Sequence, residues 1–210
     1  MKNELIRLGI SKKIKVIPNF VDVGKSKEER YFKYPYLLYV GRLDLGKGII
    51  NLIQSFKEIS QKTDLHLVII GDGPLKTEVN AQSEKSQGKI HYLGTINVKS
   101  NMLGNFYQYA TAVVIPSIYN ENCPLVALEA ISCGTPIIAS NTSGFPEIID
   151  ATKGGILVDS HNAEVLKKNI LEILNKDLLK KIRSDIRSAT DLYSKENYIK
   201  SYLSLIGKDN

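Results

Sequence analysis

Residues 111–140, TAVVIPSIYNENCPLVALEAISCGTPIIAS, decide the reading of the whole chain. Thr111 to Ile115 is a short apolar, β-branched run, long enough for a buried strand and too short for a helix. Pro116, Ser117, Asn120 and Asn122 then break it with loop chemistry. Pro124 falls where a first helical turn tolerates a missing N–H. Leu125, Val126, Ala127, Leu128, Ala130 and Ile131 follow, apolar nearly all round, as in a helix inside a protein. Glu129 breaks that pattern, and a carboxylate there is costly unless hydrogen-bond donors meet it. Glu121 stands in the loop at the mouth of the strand. Two carboxylates so placed mark a candidate site, although a salt bridge for Glu129 and plain solvation for Glu121 fit the same spacing.

Outward from this unit the chain repeats one theme of apolar strand, glycine-containing turn and helix. Strands are predicted over 36–40, 65–70, 90–93, 136–139 and 155–158, and helices over 49–61, 75–84, 99–108 and 146–149. Three further helices, 163–175, 177–190 and 194–206, finish the chain. Before Tyr36 a short helix over 3–8, a strand over 14–17 ended by Pro18 and a charged linker, 24–35, are expected. The alternation predicts the α/β class: a Rossmann-like parallel sheet with helices on both faces. Ligands of such sheets bind beyond the carboxyl ends of the strands. Loops 41–48, 71–74, 94–98, 117–124 and 140–145 therefore carry the candidate site.

Loop 41–48, GRLDLGKG, allows close backbone approach at Gly41, Gly46 and Gly48 and carries two permanent charges, Arg42 and Lys47. Arginine suits bidentate phosphate contacts and lysine a point-charge contact. A helix start behind them completes a diphosphate cradle; an exposed glycine-rich turn with two bases is the plainer alternative. No Walker A loop occurs, and Gly71-Asp72-Gly73-Pro74 lacks the third glycine of a dinucleotide fingerprint, which disfavours a dehydrogenase. Gly71 and Gly73 read instead as a wall free of side chains against which a planar base can lie. No Asp-x-Asp pair occurs, so no metal is expected and charge neutralisation falls on Arg42, Lys47 and the amides of residues 122–126. Glu129 can accept both hydroxyls of a ribose, and Glu121 can accept sugar hydroxyls. Together these residues fit a nucleoside diphosphate sugar.

Composition sets the bounds. At 210 residues with 43% hydrophobic and 24% charged content, the chain is one generous domain, or a domain with an appendage, able to bury a real core. Lys and Arg exceed Asp and Glu by 28 to 22, but the lysines are dispersed and no nucleic-acid-binding module is present. Cys123 and Cys133 flank one predicted helix and are not expected to pair; the three histidines fall in separate elements without a zinc-site pattern. No signal peptide or membrane span is seen, so a cytoplasmic protein is expected, with any membrane contact peripheral. The basic stretch 167–187 could rest on an anionic membrane at the inner face of the cell envelope. Ordinary solvation of a charged helix face is the plainer and preferred reading.

These pieces closely resemble the group 1 glycosyltransferases, retaining enzymes of the GT-B fold. The resemblance is carried by IPNFVD (17–22), GRLDLGKG (41–48), GDGP (71–74), YLG (92–94) and PSIYNENCPLVALEAISCGTPIIAS (116–140). GFPEIID (144–150), GGILV (154–158) and YSKENYIKSYLSLI (193–206) continue it, and Glu121 and Glu129 reproduce the family's E-x7-E spacing. The resemblance implies a C-terminal, donor-binding lobe over 36–192. Residues 1–23 would be the end of an N-terminal acceptor lobe with its connection, and 193–210 a helix packing on that absent lobe. It also implies roles. Arg42 and Lys47 would hold the diphosphate and stabilise the leaving group, Glu121 would touch the donor sugar near the reacting face, and Glu129 would bind ribose. The backbone of Asn122, Cys123, Pro124, Leu125 and Val126 would hold sugar and phosphate, with Gly41, Gly71 and Gly73 lining the site.

The implied donor is a UDP-, GDP- or ADP-sugar, and the implied acceptor is a glycan or lipid-linked sugar of surface polysaccharide or glycolipid assembly. Three departures are visible: Phe20 where the family usually has Gly, Asn122-Cys123 in place of a common Gly-Phe pair, and Lys195 for a frequent aromatic. A nucleotide-sugar-binding module without catalysis, completed by another chain, is the competing expectation. A sugar-nucleotide epimerase of the same fold matches the motifs less well.

Overall fold

The computed structural model describes residues 2–10, 14–23, 29–96 and 102–207. Six strands, β1 (Tyr36–Val40), β2 (His66–Ile70), β3 (Ile90–Tyr92), β4 (Ala112–Ile115), β5 (Ile137–Ser140) and β6 (Gly155–Val158), form one parallel sheet in the order β3-β2-β1-β4-β5-β6. Leu38 of β1 is in register with Val68 of β2 on one side and Val113 of β4 on the other. Strands in the middle of such a sheet are covered on both faces and so read as unbroken apolar runs. Leu37, Leu38, Leu67, Val68, Ile69, Val113, Ile137 and Ile138 are indeed fully buried.

Helices α1 (Lys2–Arg7), α2 (Ile49–Ser60), α3 (Lys76–Lys85), α4 (Met102–Tyr109), α5 (Leu125–Ser132), α6 (Phe145–Thr152), α7 (Ala163–Ile173), α8 (Lys176–Arg187) and α9 (Lys195–Leu203) complete the described chain. In α2 the buried residues Ile49, Leu52, Ile53, Phe56 and Ile59 recur at helical spacing and form the stripe that meets the sheet. Helix α7 packs across α2, where Ser55 Oγ donates to the Ala163 carbonyl at 2.7 Å. From the central pair β1/β4 the chain winds outward in both directions. Right-handed crossovers then put the helices of the two halves on opposite faces. The direction of winding reverses between β1 and β4, and ligands of such sheets bind at the carboxyl edge at that point.

Several expectations are corrected. Residues 14–17 form no strand: the segment joins neither edge of the sheet, and Val16 is largely exposed. It lies instead along the carboxyl-terminal elements, where Val21 N donates to the Tyr193 carbonyl at 3.1 Å and Phe20 packs on Tyr198. The expected linker is partly packed. Phe32 meets Tyr36, His66 and His91 edge-on, and Asn105 Nδ2 donates to the Glu29 carbonyl; residues 24–28 lie outside the described residues. So do 97–101, where the helix before β4 was expected to begin. The helix predicted to reach residue 190 ends at Arg187, and a 3-10 turn, Thr190–Tyr193, then seats Tyr193 in the core. Ser194 caps α9 by accepting from Asn197 N, and no residue of α9 is buried. Cys123 and Cys133 are not joined in a disulfide.

Candidate functional site

The loop after β1 is shaped by its own short side chains. Asp44 caps the 3-10 turn Leu45–Lys47 by accepting from Lys47 N at 2.9 Å. Gly48 then takes a left-handed conformation, φ 70°, and starts α2. A Cβ at Gly48 would collide with the Pro116 carbonyl, and one at Gly46 would enter the Tyr119 ring. Both glycines let the β1 loop lie directly against the β4 loop. Ile118 N and Tyr119 N both donate to the Gly46 carbonyl, at 2.7 and 3.2 Å. Gly71 and Gly73 have the same use on the other side. A Cβ on either would meet backbone of residues 41–43, and Leu43 N donates to the Asp72 carbonyl at 2.9 Å. Their first structural role is thus the close approach of two loops.

This joining of loops brings Lys47 to Glu121, with Nζ 2.9 Å from Oε1. The ammonium side chain keeps 30% of its exposure and the carboxylate 17%, so the pair is partly withdrawn from water. The buried Ser117 hydroxyl donates to the same carboxylate oxygen, and Glu121's backbone carbonyl accepts from Gly144 N at 2.9 Å. Ser117 escaped the sequence reading as a site residue; its position four residues before Glu121 in one loop was the available signal. Tyr39, beneath the loop, donates to the Arg42 carbonyl at 2.8 Å. Burial raises its phenol far above the ordinary range, reinforced by the charges of Asp44 and Glu121.

Glu129 sits on α5, partly buried, and accepts a 2.6 Å hydrogen bond from the fully buried Tyr107 hydroxyl of α4. That donor answers the cost expected for a carboxylate on an apolar helix. Burial raises the Tyr107 phenol well above its ordinary value, and the Glu129 charge adds to the effect, so it remains a donor at every physiological pH. Its identity lies in tertiary packing; nothing local in the sequence signals it. No side chain caps α5, and among the described residues no acceptor meets the amides of Leu125 and Val126. Pro124 is buried, Cys123 and Val126 are half-buried, and Asn122 and Leu125 are exposed along the rim. Arg42 stands apart: its side chain is 67% exposed and lies 3.2 Å from Asp44. It shares the loop with Lys47 but is not drawn onto Glu121.

Chemically, the carboxyl edge presents a fixed cation, an unpaired turn of amides and two carboxylates that each retain acceptor capacity. Such a crevice can hold an anion and a polyhydroxylated group side by side. Among the described residues no group of three or more His, Cys, Asp or Glu is gathered as a metal would require. Nor is any helix among them long and apolar enough to cross a membrane.

A doubly wound α/β lobe with a lysine–glutamate pair at its switch point defines the class. Within it, the family model for glycosyl transferases group 1 matches residues 22–191, and the chain belongs to that family. The D-inositol 3-phosphate glycosyltransferase of Corynebacterium jeikeium is 47% identical over 184 residues, covering 76% of this chain and 44% of that protein. The O-antigen chain mannosyltransferase B of Escherichia coli is 30% identical over 152 residues, covering 70% of this chain and 39% of that one. The chain thus spans less than half the length of the curated relatives it matches. Among solved structures, TarM of S. aureus in complex with fondaparinux, alpha-GlcNAc-glycerol and UDP superposes with a TM-score of 0.72 at 22% identity. That match covers 97% of this chain and 41% of TarM and speaks to the fold.

Proposed function

We propose that this chain is the donor-binding lobe of a retaining glycosyltransferase and that the crevice between the β1 and β4 loops holds a nucleoside diphosphate sugar. The observation that carries the reading is the Lys47–Glu121 pair, braced by Ser117 at the switch point beside the uncapped start of α5. Lys47, the Leu125 and Val126 amides and the exposed Arg42 would receive the diphosphate. Glu121 would accept hydroxyls of the sugar. Glu129, with Tyr107 occupying one oxygen, would offer the other to the ribose. No metal is required on this reading, because the cations and amides supply the neutralisation.

The reaction proposed is front-face transfer. An acceptor hydroxyl attacks the anomeric carbon on the face from which the diphosphate leaves. The bond from that carbon to the phosphate oxygen breaks, and the departing phosphate takes the hydroxyl's proton. The protein's main contribution would be preorganised stabilisation of the developing diphosphate charge. The acceptor, a glycan or a lipid-linked sugar, would be held by a second lobe. Helix α9 and the turn after it, whose Ile199, Tyr202, Leu205 and Ile206 are exposed, would pack on that lobe. The site would work at the cytoplasmic face of the membrane in surface glycan or glycolipid assembly, since the E. coli relative bears the name of an O-antigen mannosyltransferase.

The test is calorimetric titration of the chain with UDP, GDP and ADP, with and without magnesium. Saturable binding of one nucleotide in the absence of metal, weakened by Lys47→Ala, is the expected result. Binding of none, or binding indifferent to Lys47, would overturn the reading.

A further inference from the structure

A second concave site lies on the opposite rim of the sheet. Helix α8 presents Lys176, Leu179, Lys180, Arg183, Ser184 and Arg187 along one face, and these residues border a shallow, open cleft of about 400 Å³. Arg183 is its floor. Its Nη2 donates to the Ala110 carbonyl at 2.7 Å and to that of Thr111 at 3.4 Å, and its Nη1 to that of Gly134 at 3.5 Å. Ala110 and Thr111 immediately precede β4, and Gly134 lies just before β5. The cleft is therefore at the amino edge of the sheet, away from the crevice at the carboxyl edge.

The charge in this cleft is uncompensated. Four cations line it and no carboxylate does. Among the described residues, none of Lys176, Lys180, Arg183 and Arg187 takes part in a salt bridge; Lys181, off this face, is the α8 lysine that pairs, with Asp185. Lys176 and Lys180, and likewise Arg183 and Arg187, are four residues apart, where like charges on a helix repel. Arg183 is partly buried, and burial together with the Arg187 charge pulls its pKa below the ordinary arginine value. Of its five N–H donors, the three carbonyl contacts leave at least two without a protein acceptor. A fixed guanidinium tethered by neutral carbonyls, flanked by three flexible cations over a partly apolar floor, has the chemistry that suits a multiply charged anion.

We propose that this cleft binds a phosphate group carrying two or more negative charges, independently of the crevice at the carboxyl edge. Arg183 serves as the fixed anchor; Lys180 and Arg187 close on the anion from the rim. The group could be presented by a soluble phosphate ester or by a lipid headgroup, and the chemistry of recognition is the same.

The test uses the full chain carrying Lys47→Ala, with pyrophosphate as the probe and backbone amide NMR shifts as the readout. Saturable shifts confined to 176–187 are expected. Lys180→Ala/Arg187→Ala, which removes two exposed side chains and leaves the Arg183 tether intact, should weaken binding roughly tenfold or more. Lys57→Ala/Lys62→Ala, an equal loss of charge elsewhere, should leave it unchanged. No saturable shift on α8 up to millimolar pyrophosphate, or equal weakening by the two double variants, would overturn the proposal. Sedimentation with phosphatidylcholine vesicles, with and without phosphatidic acid, separates the sources. Pelleting that needs phosphatidic acid, is lost in Lys180→Ala/Arg187→Ala and is competed by pyrophosphate supports a lipid headgroup. Retained pyrophosphate binding without pelleting supports a soluble ester.

Discussion

Replacing Lys47 by Met removes the ammonium while keeping most of the volume of its stem, and the structure sets the size of two separate effects. At 2.9 Å from Glu121, with an effective permittivity of about 20, the bare attraction is about 6 kcal/mol. Desolvation of both ions offsets most of it, and a pair between exposed and buried leaves about 1–2 kcal/mol. A double-mutant cycle of Lys47→Met and Glu121→Gln in urea unfolding should therefore give a coupling of about 1–2 kcal/mol. A value within about 0.3 kcal/mol of zero would show that the pair contributes nothing. The second effect is on ligand affinity. A charge-assisted hydrogen bond to phosphate contributes about 1.5–3 kcal/mol, and the ammonium must give up part of its contact with Glu121 to make it. Loss at the lower end, about tenfold in the dissociation constant, is expected by calorimetry with the nucleotide the chain selects. Equal affinities for the parent and Lys47→Met would refute the cradle even if the stability coupling were found.

Tyr107→Phe removes the donor to Glu129 and nothing else of the ring. It should cost about 1–2 kcal/mol of stability in urea unfolding, and no loss would mean that Glu129 finds an equal partner elsewhere. The stacked pair His66 and His91, whose Nδ1 and Nε2 lie 2.9 Å apart, makes stability sensitive to acid. Burial holds both below the ordinary histidine range, with the Lys89 charge adding at His66 and the His66 charge at His91. The unfolded chain takes up protons on both as pH falls through about 6.5, while the folded chain resists. Their contribution is thus fully present above that pH and is lost as pH falls toward the lower folded values. The midpoint of thermal unfolding should drop between about pH 7.5 and 5.5, and His91→Gln should narrow the drop; an equal drop in that variant would refute the assignment.

How far the sequence foretold the structure depends on whether the deciding contacts were local. Strand β1 and its glycine loop were legible because every cue, from the apolar run to the turn residues, lies within a dozen positions. The strand expected over 14–17 was not there, because tertiary contacts with the carboxyl-terminal elements, such as Lys15 Nζ donating to the Ser201 carbonyl and Phe20 packing on Tyr198, hold that segment away from both sheet edges. Val16 accordingly stays exposed. The polar composition of 24–35 concealed three aromatics that pack, Tyr31 on Phe106, Tyr34 on His66, and Phe32 among Tyr36, His66 and His91. At the candidate site Lys47, Glu121 and Glu129 were legible as residue types at a spacing. Their braces were less so. Ser117 reaches Glu121 from within the same loop, but Tyr107 reaches Glu129 across 22 residues through the packing of α4 on α5. The glycines of 71–73 were read for a ligand, whereas their backbone is committed first to the loop beside them.

The proposed donor site contains its own means of telling a sugar nucleotide from a bare nucleotide. In the structure Lys47 and the Ser117 hydroxyl both serve one oxygen of Glu121. A bound diphosphate competes for the Lys47 ammonium, and whatever it draws away leaves a partly buried carboxylate short of a donor, which is costly. A sugar attached to the diphosphate would return that donor as a hydroxyl; a bare diphosphate cannot. The sugar nucleotide should therefore bind more tightly than its nucleoside diphosphate, by about 1–2 kcal/mol, or roughly 5- to 30-fold. Glu121→Gln removes the charge that needed compensation. It should raise affinity for the bare diphosphate, because Lys47 is released from its partner, and shrink the preference for the sugar nucleotide. Calorimetry with the two ligands on the parent and on Glu121→Gln reads all four affinities. If the variant keeps the full preference, or binds the bare diphosphate more weakly than the parent does, then Glu121 is not the group that exchanges a lysine for a sugar hydroxyl.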